Sequence, residues 1–241
     1  MTCLLICNTT QGVHSSVHNY LILRHTHFSP GAGKSTTAVE AVRLLDNSGY
    51  RSACSINDSL STEERHQYYL ALDLDICVPQ WMRNNFSNGL YPTQSQRVEF
   101  MKGACIYVKD EMEAAQQRIS TTIQQHKQQL IVIISFSFVN ADLRTEFRHS
   151  FPHAQWILVH ANKQLAEERI LSREGHFYKN AESNNEDTTS GSNKEDCENN
   201  NDMSEWEFQP VDFSHLSLDG CDAVEVNAKR IVDCIQQQMR E

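Results

Sequence analysis

The most specific chemistry in the 241-residue chain lies in Ser29-Pro-Gly-Ala-Gly-Lys-Ser-Thr36. Gly31 and Gly33 let the backbone curl until successive N–H groups face one point, a concavity suited to an anion. Apolar residues at Ala38, Val39, Ala41, Val42, Leu44 and Leu45 predict a helix over 35–47, whose positive end turns toward the same point. Lys34 is placed to reach the β- and γ-phosphates of a nucleotide, and Ser35 to set its hydroxyl on Mg²⁺. Ala32 and Thr36 complete the cradle. The full pattern, G-x-x-x-x-G-K-[ST], asks for glycine at position 28, where this chain has Phe28.

Phosphoryl transfer also needs cations on the group in flight. Arg169 and Arg173 share one face of a helix expected over 163–173, and Gly175 ends that helix at a polar loop. Arg173 would then swing over bound phosphates; the plainer reading is a solvated, glycine-capped helix end. Asp73 and Asp75 alternate with apolar residues in Ala71-Leu-Asp-Leu-Asp-Ile-Cys77. That pattern reads as a strand-like or irregular segment with one wet face, a Mg²⁺ site being the minor alternative. Trp81, Phe86 and Tyr91 read as core packing or as the wall of an acceptor pocket.

A frame must bring these groups together. Strand candidates at 51–56, 130–134, 155–159 and 215–218 alternate with helices expected over 98–128, 142–148, 163–173 and 222–240. The run Leu130-Ile-Val-Ile-Ile134 has the pattern of a strand covered on both faces. This alternation predicts an α/β fold: a mostly parallel sheet, helices on both faces, ligands beyond the C-terminal strand ends. The first strand has two candidates. Thr2-Cys-Leu-Leu-Ile-Cys7 is a good strand but lies roughly twenty residues too early for such a loop. Choosing it makes 8–28 an insertion or a gene-model artefact, and 1–28 an atypical N-terminal segment before a domain over 29–241. The other candidate is 20–23, with an irregular exit into the loop.

The net charge of −10 argues against a general nucleic-acid binder, and no apolar run approaches a membrane span. Eight cysteines without a CxxC pair, and a start without a basic n-region, point to reduced thiols in the cytoplasm. Residues 181–204 hold seven acids, one lysine and six asparagines, and predict a disordered segment.

Glu167, Arg169, Arg173, Gly175, His176 and Phe177 form E-x-R-x-x-x-R-x-G-H-F, which resembles the helix-to-lid segment of gluconate kinases, small P-loop kinases related to shikimate kinases. Asn88-Gly-Leu-Tyr-Pro-Thr-Gln-Ser-Gln-Arg97 and the stretch 130–144 are similar to further parts of that family, and residues 29–240 follow its order. The resemblance implies a P-loop NTPase three-layer sandwich with a mobile lid at 174–212, interrupted by the acidic segment. It implies ATP and Mg²⁺ as cofactors and phosphoryl transfer to a hydroxyl of a sugar acid such as D-gluconate. Lys34 and Ser35 would handle phosphates and Mg²⁺, and Arg169 would lie against the adenine. Arg173 would stabilise the transferring group, with His176 toward the sugar acid. Asp58, just after the second strand, would orient the acceptor hydroxyl or hold Mg²⁺ through water. Arg97 and Arg144 would grip an acceptor carboxylate, since a guanidinium fork matches its two oxygens.

The chain departs from the family at Gln94, Ser95, Gln96, Val139 and Asn140, and over residues 59–88. The ATP side is therefore partly kept and the acceptor side largely rewritten. Two alternatives stay open: a kinase with an unrelated acceptor, and a degenerate P-loop protein without catalysis. The expected partners are ATP and a small molecule, with neither nucleic acid nor membrane; a homodimer is left open.

Overall fold

The computed structural model describes residues 20–24, 33–47, 66–122, 128–160, 168–169 and 209–239. Their elements are β1 (Tyr20–Arg24), α1 (Lys34–Asn47), β2 (His66–Asp73), a 3-10 turn (Leu74–Cys77), α2 (Gln80–Ser87), α3 (Gln94–Thr122), β3 (Gln128–Ser135), α4 (Ala141–Ser150), β4 (Ala154–His160), β5 (Leu216–Asp219) and α5 (Val224–Gln238). The five strands form one sheet in the order β2-β3-β1-β4-β5, with every pairing parallel.

The sheet is sandwiched, and β3 shows why. Its residues Leu130, Val132 and Ile134 pack with Met101, Val108, Leu143, Phe147 and Trp156, under α3 and α4. Its residues Ile131 and Ile133 point the other way, to Ala38, Ala41 and Leu45 of α1 and Ala228, Ile231 and Ile235 of α5. A strand alternates its side chains between faces, so a strand buried on both must be apolar throughout. Residues 130–134 are all at most 1% exposed. Among the described residues no helix is long and apolar enough to cross a membrane.

The sheet's centre falls at Tyr20–Arg24, which pairs with β3 on one side and β4 on the other. Of the two first-strand candidates, it is therefore 20–24 that runs in the sheet; residues 2–7 lie outside the described residues. From this central strand the order runs to opposite sides, which opens a crevice at the C-terminal edge. The sequence reading missed a strand. His66–Asp73 pairs with β3 over its whole length, from His66 opposite Gln128 to Asp73 opposite Ser135. The candidate at 51–56 lies outside the described residues. The apolar run Tyr68–Leu72 is the local signal for β2, but its two neighbouring aspartates made it look like a wet segment.

Residues 209–215 return along α4. The Gln209 N–H donates to the Val139 carbonyl at 3.2 Å, and the Gln209 side chain accepts from the Ala141 N–H. The Arg148 guanidinium lies 4.0 Å from the centre of the Phe213 ring, which packs edge-on against Trp156. The expected lid over 174–212 thus ends in a fastened segment at 209–212. The acidic stretch 181–204 lies outside the described residues.

Candidate active site

Gly33 adopts φ +79°, the left-handed region where a side chain brings strain, and α1 begins at the next residue. The Gly33 carbonyl accepts from both the Thr37 N–H and the Thr37 hydroxyl, each at 2.8 Å. The first turn of α1 carries no acidic side chain, so the positive end of the helix is left to an outside anion. Lys34 is only 6% exposed.

Two acids meet this helix end. Asp73 closes β2, and its Oδ2 accepts from the Ser35 hydroxyl at 2.5 Å. The Ser135 hydroxyl at the end of β3 donates to Ser35 Oγ at 3.2 Å. Asp73 Oδ1 also accepts from the Asp75 N–H at 3.1 Å, which ties the following 3-10 turn to the strand. Asp75 lines the pocket beyond. Burial raises its carboxyl pKa above the ordinary range; Lys34 pulls it back down and Asp73 pushes it further up.

That pocket is a small open cleft of about 40 Å³. It lies between the 3-10 turn, α2, the start of α3 and the β3–α4 loop. Phe86 and Tyr91 line it, as the pocket-wall reading has it, whereas Trp81 is 43% exposed and is not part of the lining.

No protein-family model matches the sequence, and no curated protein matches it. Solved structures do. A sugar kinase from Janibacter sp. superposes with a TM-score of 0.51 at 13% identity, covering 90% of this chain and 94% of that one. The APS kinase of Mycobacterium tuberculosis, in complex with AMPPNP and APS, gives 0.50 at 15%, covering 90% and 98%. A gluconokinase from Sinorhizobium meliloti gives 0.45 at 14%, covering 91% and 97%. The fold is that of the P-loop kinases. At such identities the likeness speaks for architecture alone.

Within this fold, Lys34, Ser35, Thr36 and Gly33 stand at the start of α1; Gly31 and Ala32 lie outside the described residues. The end of the second described strand is held by Asp73, and the turn that follows it by Asp75. Asp58, expected there, precedes β2 in the chain and lies outside the described residues. Arg169 Nη1 donates to the Gly220 carbonyl at 3.1 Å, and a Cβ placed on Gly33 would stand 3.9 Å from that nitrogen. Arg169 therefore sits beside Gly33, between it and the end of β5. Arg173 and His176 lie outside the described residues.

The two arginines expected to grip a carboxylate have other work. Arg97 is buried; it pairs with Asp142 at 2.7 Å and donates to the Pro92 carbonyl at 2.8 Å. An acceptor carboxylate would have to displace Asp142. Arg144 is 3% exposed and donates to the carbonyls of Phe138 (3.2 Å), Val139 (2.9 Å) and Pro210 (2.9 Å). Burial lowers its pKa to about 10, against opposing pulls from Asp212 and Asp142. Arg144 thus clamps the returning segment at 209–212 to the β3–α4 loop. Arg144→Met should cost about 3 kcal/mol by removing the Arg144 donors to the Phe138 and Pro210 carbonyls, the Val139 carbonyl keeping the Gln209 N–H. In a domain of this size that lowers Tm by roughly 10 °C, read by calorimetry. Arg144→Lys should recover little of it, because an ammonium cannot span three carbonyls as a planar fork does.

Proposed function

We propose that the chain transfers the γ-phosphoryl group of ATP to a hydroxyl of a small metabolite. The observation that carries this reading is the convergence of Lys34, Ser35, Asp73 and Asp75 at the start of α1, with Asp75 also lining the pocket. Lys34 and the N–H groups of the first turn bind the β- and γ-phosphates. Ser35, Asp73 and Ser135 offer hydroxyl and carboxylate oxygens, the donor type that suits Mg²⁺. When bound there, Mg²⁺ would neutralise charge on the β- and γ-phosphates.

Asp75, on the pocket side of Asp73, accepts the acceptor's proton. The acceptor oxygen bonds to Pγ, the bond from Pγ to the bridging oxygen breaks, and ADP carries that oxygen away. A carboxyl whose pKa burial raises is a stronger base for this step than an exposed one. Arg169 serves the nucleotide side, and Arg173 and His176 close over the reacting groups as the resemblance implies. Asp58 has no role in this reading, since Asp73 and Asp75 fill its place. A sugar acid is the acceptor class that the resemblance implies.

Calorimetric titration with Mg·ATP tests the reading. Saturable binding in the micromolar range, weakened when Mg²⁺ is chelated, is the expected result. A folded chain that takes up no heat from Mg·ATP would overturn it, and would point to Phe28 as the residue that breaks the loop.

A further inference from the structure

Ser135 ends β3 directly after the apolar run Leu130–Ile134, and it is 1% exposed. A hydroxyl buried there costs free energy unless it is paired. Register places Ser135 opposite Asp73, and its Oγ lies 3.2 Å from the Oγ of Ser35. The direction of that bond follows from Asp73. An ionised carboxylate only accepts, so the single proton of Ser35 goes to Asp73 Oδ2, at 2.5 Å. Ser135 must then be the donor to Ser35.

A hydroxyl has one proton and two lone pairs. With its proton on Asp73 and one lone pair taken by Ser135, Ser35 keeps a single lone pair. Ser35 is half-buried at the start of α1, so an outside cation can reach it. Held by Asp73 alone, the same hydroxyl would be free to rotate about that one bond. We propose that Ser135, on the phosphotransferase reading above, is a positioning residue that orients the Ser35 hydroxyl toward the divalent cation of the bound nucleotide. Lys34 and the N–H groups of the first turn hold phosphate without Ser135, so its effect is confined to the metal-loaded nucleotide.

The test titrates ATP into the full chain by calorimetry, once with Mg²⁺ and once with EDTA, for wild type, Ser135→Ala and Ser135→Thr. In Ser135→Ala the affinity for Mg·ATP should fall by roughly 10–100-fold, the effect of losing an outer partner of a metal ligand, while metal-free ATP binds as it does to wild type. Ser135→Thr keeps the hydroxyl and should restore most of the loss. A hydroxyl needed only for folding would lower Tm and weaken both titrations alike, and that result would overturn the proposal. Unchanged Mg·ATP affinity in folded Ser135→Ala would overturn it too, with the kinase reading left standing. Ser135→Cys, which puts a weak donor in the same place, is the second variant should alanine fail to fold, and the same loss is expected of it. Wild type that binds ATP in neither titration would overturn both the kinase reading and the role of Ser135.

Discussion

Lys34→Ala should raise the Kd for Mg·ATP by two to three orders of magnitude and lower kcat/KM by at least as much. Lys34 is buried at the first residue of α1, where the helix end, Ser35 and the two aspartates of the β2 terminus meet. Its loss leaves phosphate charge without its nearest cation in a poorly hydrated crevice. Truncating one partner of such a pair costs about 2–5 kcal/mol, and every 1.4 kcal/mol is tenfold in Kd. Lys34→Arg should not rescue binding, because a planar guanidinium does not fit a space shaped for a compact ammonium. Calorimetry with both variants, beside a thermal melt to show that each is folded, reads the effect. Wild-type affinity in Lys34→Ala would mean that the phosphate loop is not where the nucleotide binds.

The second large effect lies at Asp75, where activity and stability should move in opposite directions. Asp75→Asn removes the group placed to take the acceptor's proton, and kcat should fall by roughly 10²–10⁴. The same change should raise Tm at neutral pH. The folded chain holds the Asp75 proton more tightly than the unfolded chain does, because burial outweighs the pull of Lys34. Stability from the neutral carboxyl is therefore complete below the ordinary aspartate range. It is lost as pH climbs from there through the raised value. Asparagine is neutral throughout, so the variant's stability profile should be flatter across that window and higher above it. Melts between pH 3 and pH 8 decide the matter; a lower Tm for Asp75→Asn at pH 7 would mean that the ionised carboxylate is held by favourable partners. The prediction also couples to Lys34: in Lys34→Ala the restraining charge is gone, so the loss of stability with rising pH should extend further.

Much of the frame could be read along the chain. The β-branched run at 130–134, the apolar stretch at 155–159 and the helical spacing after Ser35 became β3, β4 and α1. Each is a local pattern whose period matches the geometry of the element it forms. The Gly-Lys-Ser turn was equally plain, because a glycine at positive φ followed by a helix start is a property of a few consecutive residues.

The partners of that turn were not legible in the same way. Whether Asp58, Asp73 or Asp75 meets Ser35 depends on which segment becomes β2 and on its register against β3, a pairing between residues about sixty positions apart. Asp73 opposite Ser135 is a consequence of that register; a shift of one residue would turn the carboxylate to the other face of the sheet. Arg97 and Arg144 show the same limit. A guanidinium's place in the sequence says nothing of whether a carboxylate such as Asp142 or a set of orphan carbonyls already claims it. Residue type and spacing thus set the glycine turn into α1 and the kind of sheet that carries it. Long-range strand pairing chose the acids that meet the start of α1, and the burial of α2, α3 and the β3–α4 loop against one another shaped the pocket.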